Sequence, residues 1–171
     1  MNLRSGDVLV GDVPVSIWKH PIVWLAQIVI QRWQKWTGYK EWWPTHVKLV
    51  VKSLPADGWL IFEFTTPVAK FSVIEEMPAG YVARRYWDTG TIRSNELEQA
   101  CMAYEGSPYD GLELLGFLGN NKNLELSKNW FVCSTGINEI FKLCGKNLWP
   151  KHKWICPATF ADYFEKVENN A

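Results

Sequence analysis

Hydrophobic residues along this chain change their period twice, and the changes divide it into elements. Gly6-Asp7-Val8-Leu9-Val10-Gly11 is a short apolar run bracketed by glycines, which predicts a strand. Ser16 then stands where it could cap a helix running to about Gln34, with Pro21 in its first turns and Val23, Leu25, Ala26 and Ile30 as a buried stripe. The stretch from Thr37 to Pro44 carries Gly38 and the pair Trp42-Trp43 and reads as a loop. Four strand-like runs follow, His46 to Val51, Trp59 to Thr65, Val68 to Ile74 and Tyr81 to Trp87, separated by Pro, Gly and Asp turn signals. Consecutive strands joined this tightly are expected to pair antiparallel.

From Ser94 onward the spacing turns helical. Leu97, Ala100, Cys101 and Tyr104 recur on one face until Gly106-Ser107-Pro108 stops the pattern. After an irregular stretch rich in Asn, Gly and Leu, a second stripe runs through Cys133, Ile137, Ile140, Phe141 and Cys144 and ends at Gly145. A last helix is expected from about Pro157 to Phe164. No repeat, low-complexity tract or linker interrupts the chain, so its 171 residues are read as one α+β domain over 1–171.

Charge and targeting signals narrow the classes. Lys plus Arg equals Asp plus Glu at 18 each, so no net field gathers nucleic acid, and such a partner is not expected. The start lacks an apolar stretch behind a basic segment and does not read as a signal peptide, which leads to a cytoplasmic expectation. The longest apolar stretch, around Ile22 to Ile30, is shorter than the ~20 residues a spanning helix needs. Four cysteines, none in a Cys-x-x-Cys pair, and three unclustered histidines speak against structural zinc and disulfides, and no cofactor is expected. Eleven Trp, eight Phe and six Tyr suit either a dense core or a groove for acyl chains and peptides.

Candidate chemistry centres on Cys133, where an extended segment, Trp130-Phe131-Val132, becomes a helix. A helix start offers unpaired N–H groups and the positive end of the macrodipole, both of which favour thiolate over thiol. A hydrolytic thiol also needs an imidazole to take its proton, and that imidazole needs an acceptor to hold its tautomer. His46 opens a strand and is the candidate base; Glu63, alternating with Phe62 and Phe64, is the candidate acceptor. Trp42, Trp43 and Tyr109 are candidates for substrate contact. Cys101 and Cys144 read as core, Cys156 before Pro157 as a rival nucleophile, and His20 and His152 as surface residues. Only one of Arg84 and Arg85 could clamp a substrate carboxylate, since neighbours on a strand face opposite ways, and neither receives a role.

Whether Glu63 reaches His46 depends on hairpin register, because an even loop puts both on one face. A six-residue loop from Lys52 to Asp57 sets them directly opposite. A four-residue turn over Pro55-Ala56-Asp57-Gly58 keeps the face but separates them by four positions, about 13 Å.

Taken together, Gly6-Asp7-Val8-Leu9-Val10, Thr45-His46-Val47-Lys48-Leu49-Val50, Phe62-Glu63-Phe64, Gly106-Ser107-Pro108-Tyr109-Asp110, Val132-Cys133-Ser134-Thr135-Gly136-Ile137 and Cys156-Pro157-Ala158-Thr159-Phe160 resemble the permuted papain-like (NlpC-type, YiiX-like) cysteine hydrolases. In that group a glycine-aspartate strand comes first, then histidine, then a polar residue on the next strand, then cysteine. The resemblance implies a circularly permuted papain-like fold, with a curved antiparallel sheet against the cysteine helix. It implies Cys133 as nucleophile, His46 as general base and acid, and Glu63 as the group orienting the imidazole. The family's cysteine is commonly followed by Ser, an acid and an aliphatic residue, whereas this chain has Ser134-Thr135-Gly136, a departure that bears on substrate preference. The expected activity is a cysteine peptidase or amidase acting on small, cell-wall-type peptides. Lipid acyl hydrolysis or transfer, and a non-catalytic binding module, are the alternatives.

Overall fold

The computed structural model describes residues 3–12, 21–55, 58–86, 88, 91–109, 131–149 and 155–167. Ser16, His20, Trp87, Asp110 and His152, and the turn residues Ala56 and Asp57, lie outside them.

An antiparallel sheet of six strands carries the fold. Its strands are β1 (Val8–Gly11), β2 (His46–Ser53), β3 (Trp59–Glu63), β4 (Lys70–Ile74), β5 (Tyr81–Arg85) and β6 (Glu165–Lys166), in the order β4-β3-β2-β1-β5-β6. The described helices are α1 (Pro21–Trp36), α2 (Ser94–Met102), α3 (Cys133–Leu143) and α4 (Pro157–Tyr163). The class is therefore α+β, as the change of period implies. Among the described residues no helix is long and apolar enough to cross a membrane.

Several boundaries differ from the sequence reading. α1 continues two residues past Gln34, to Trp36, before Gly38 turns the chain with φ of 91°. β3 stops at Glu63, not Thr65, and the chain that would return beside Phe64 and Thr65 pairs elsewhere: the Ala69 N–H donates to the Ser107 carbonyl and the Pro67 carbonyl accepts from the Tyr109 N–H. Val68 makes only an isolated bridge to Pro108, so β4 begins at Lys70. β5 ends at Arg85, and α2 ends at Met102 with Tyr104 in the turns that follow. The short β6, which pairs with β5, carries no apolar alternation to announce it.

Alternation along β1, β2 and β3 sorts their side chains onto two faces. Val8, Val10, Val47, Leu49 and Phe62 join one buried cluster with Ile137, Ile140 and Phe141 of α3. Leu9, Val50, Ile61, Tyr81 and Ala83 form a second cluster on the opposite face. Phe64 joins the first, so Glu63 between the two phenylalanines faces the second, as its position in the strand predicts.

Gly136 sets how closely α3 approaches the sheet. A Cβ there would lie 2.4 Å from the Phe64 ring, and that ring is wedged among Phe62, Tyr104 and Phe131. Gly136→Ala is therefore expected to destabilise the protein by about 1–3 kcal/mol despite alanine's better helix propensity. The shift in urea midpoint measures it, and an unchanged or higher midpoint would contradict this account of the contact.

Candidate active site

Glu63 and His46 share a face through a bulge, and not through the loop lengths read from the sequence. Pairing begins at Ser53 with Trp59 and runs through Lys52 with Leu60, then shifts by one residue so that Val50 faces Ile61 and Leu49 faces Phe62. Without that shift Glu63 would lie across from Leu49 and point to the core side. With it, the register sets Glu63 across from Lys48, two positions from His46, a diagonal that long side chains can span. His46 Nε2 and Glu63 Oε2 are 3.1 Å apart, and Lys48 Nζ lies 3.0 Å from the same carboxylate oxygen.

Cys133 meets this pair from α3. Val132 is the residue at the helix N-cap, has extended backbone, and cannot cap through its side chain, so Cys133 is the first helical residue. Ser134 anchors the turn from within, its hydroxyl donating to the Ile155 carbonyl at 2.8 Å. His46 opens β2 as Cys133 opens α3, and the Cys133 sulfur lies near enough to act electrostatically on the imidazole. With Nε2 occupied by the carboxylate, Nδ1 is the ring nitrogen left to exchange a proton with sulfur. Cys133, His46 and Glu63 are 3%, 6% and 8% exposed, so the constellation is closed off from bulk water.

Burial opposes charge on His46, but the Cys133 sulfur, acting through charge and hydrogen bond, and then the Glu63 carboxylate outweigh it and raise the imidazole from 6.5 to about 9. Burial likewise opposes charge on Glu63, yet the His46 hydrogen bond and the nearby Lys48 ammonium hold its carboxyl down at about 2.

Sequence reasoning missed four supporting residues. Lys48 shares the carboxylate and also lies 5.3 Å above the Tyr81 ring. Tyr81 meets the His46 ring edge-on at 6.5 Å, and its buried hydroxyl has no partner. Burial first, then the negative charge of Cys133, Glu63 and Asp12, raises the Tyr81 phenol. Gln34, fully buried, donates to the carbonyls of Trp42 at 2.7 Å and Pro44 at 2.8 Å, and accepts from the Ala158 N–H at 3.0 Å. It thereby fixes the loop that delivers His46. Asp12 accepts from the Thr45 hydroxyl at 2.8 Å and the Gln31 amide at 3.0 Å, and burial pushes its carboxyl up. Register alone could have suggested Lys48, since it shares strand and face with His46; the others have no sequence signal.

A narrow recess opens beside Cys133, and Tyr109 lines it together with Ile30 and Trp33 of α1. Bridges between Val68 and Pro108 and between Tyr109 and Phe131 hold Tyr109 there. Trp42 and Trp43 are not part of that wall. Trp42 is exposed with Lys35 Nζ 4.9 Å above its ring, and Trp43 donates from its indole to Glu41 at 2.8 Å. Cys156 lines the recess too, but burial pushes its thiol up, and Thr159 Oγ1 is its partner at 3.5 Å. Cys101 and Cys144 are core, as their spacing predicts. Arg84 and Arg85 each pair with a separate acid of the protein, Glu41 and Asp7, as strand neighbours on opposite faces do. Among the described residues no three His, Cys, Asp or Glu side chains gather as a metal site.

No family model and no curated protein matches the chain. What the site does has to be read from its own geometry.

Proposed function

We propose that the protein is a cysteine hydrolase that acts on amides or esters through a thioester on Cys133. The observation that carries this reading is the His46 imidazole, bonded to Glu63 Oε2 at 3.1 Å through Nε2 and influenced electrostatically by the sulfur of the first residue of α3. The order of strand, histidine, acid and cysteine along the chain, together with the antiparallel sheet, supports a permuted papain-like arrangement.

His46 takes the thiol proton as sulfur attacks the carbonyl carbon, and the C–S bond forms. The Cys133 N–H, at the start of α3, receives the developing oxyanion, and the unpartnered Tyr81 hydroxyl is a second donor near the site. The bond to the leaving group then breaks as His46 returns the proton to it. Water, activated by the same imidazole, hydrolyses the thioester and restores the thiol. Glu63 holds the ring's tautomer and stabilises the imidazolium, and Lys48 fixes Glu63.

Alkylation with iodoacetamide tests the reading. In native protein Cys133 is expected to be modified first, because burial pushes the thiols of Cys101, Cys144 and Cys156 up. Its modification is expected to slow by at least about tenfold in His46→Ala, which removes the base that takes the thiol proton. A Cys133 alkylation rate that does not change in His46→Ala would overturn the proposal.

A further inference from the structure

We infer that the recess beside Cys133 receives the acyl part of the substrate and selects a short, uncharged, apolar group. The inference rests on the thioester reading above and goes on to name the substrate class. Its wall includes Ile30, Trp33, Val132 and Pro157, and among the described residues it contains no Asp, Glu, Lys, Arg or His.

Three of the polar side chains in that wall are turned to internal partners. Thr45 donates its hydroxyl to Asp12 at 2.8 Å, Ser134 donates to the Ile155 carbonyl at 2.8 Å, and the Cys156 sulfur lies 3.5 Å from Thr159 Oγ1. A carboxylate or ammonium entering here would lose its water and find no opposite charge. An alkyl group loses nothing by the same transfer.

Which end of the substrate enters follows from the proton path. His46 protonates the leaving group, so that group departs on the histidine side. His46 is absent from the recess wall, whereas Cys133 is part of it. The portion that stays on sulfur is therefore the one beside the recess. As the C–S bond forms and the leaving-group bond breaks, the thiol proton passes through His46 to the leaving group. Water later supplies the hydroxyl of the released acid and the proton that restores the thiol.

A series of aryl esters with one leaving group tests this: acetyl, butyryl, octanoyl and hemisuccinyl. Mass spectrometry of the Cys133 adduct reads acylation directly, and leaving-group release gives its rate. Rates are expected to rise about fourfold per methylene from acetyl to butyryl, and to fall for octanoyl because the recess is narrow. The hemisuccinyl ester, similar in length to butyryl but charged, is expected to react at least about 100-fold more slowly. Ile30→Ala shifts the preference toward longer chains. Equal rates for butyryl and hemisuccinyl esters would overturn the acyl pocket and leave the thioester reading standing. No acylation of Cys133 by any ester would overturn that reading, and the pocket with it.

Discussion

Replacing Cys133 with alanine is expected to lower turnover by at least about 10⁴-fold while the fold stays intact. Without sulfur no thioester forms, and what remains is binding and the oxyanion donors, as in other enzymes that lose a nucleophile. The structural cost is small, because a buried cysteine packs as a small apolar side chain and alanine keeps the helix. Cys144→Ala is the matched control, since it removes a thiol from the C-terminal end of the same helix and keeps activity. Steady-state rates and circular dichroism on the two variants separate lost chemistry from lost structure. Residual turnover above about one hundredth of wild type in Cys133→Ala would shift the nucleophile elsewhere.

Glu63→Ala is expected to destabilise the protein by about 3–5 kcal/mol, because one carboxylate oxygen serves two cations in a mostly buried setting. It should also slow turnover by about 10²-fold or more, since the imidazole loses the group that orients it. The stability loss depends on pH from both sides. His46 is raised from 6.5 to about 9, so its contribution is complete below 6.5 and disappears as pH rises through about 9. Glu63 is lowered from 4.5 to about 2, so its contribution is present above 4.5 and disappears as pH falls toward about 2. The gap between wild type and Glu63→Ala is therefore widest from 4.5 to 6.5 and narrows on either side. Urea denaturation across pH measures it, and a small gap that is flat with pH would mean that the pair does not act as an ion pair.

The elements that carry the three residues were legible because their patterns are strong. Cys133, Ile137, Ile140 and Phe141 repeat at helical spacing, and Glu63 alternates with two phenylalanines. The shared face of His46 and Glu63 was readable only as a condition on the loop. Pairing from Ser53 and Trp59 encloses five residues, an odd number that by itself would have turned Glu63 away from His46. The one-residue shift between Val50 and Lys52 restores the face. It leaves no trace in the sequence, because Leu49, Val50 and Val51 are all apolar and both faces of the sheet are buried there.

Contacts between distant side chains were beyond reach for a different reason. Gln34 sits in an amphipathic helix and reads as an exposed polar residue, yet its amide ties Trp42, Pro44 and Ala158 together across more than a hundred residues of chain. The tryptophan pair beside His46 in sequence suggested a cleft wall, whereas the wall beside Cys133 draws Ile30 and Trp33 from α1. Sequence proximity to a reactive residue says little about which side chains face it once a helix and a loop separate their backbones.

The convergence of sulfur, imidazole and carboxylate is tested most directly by an NMR titration of the His46 ring nitrogens in wild type and in Cys133→Ala. The account predicts a midpoint near about 9 in wild type and a clear fall when sulfur is removed. An ordinary midpoint near 6.5 that Cys133→Ala leaves in place would contradict it.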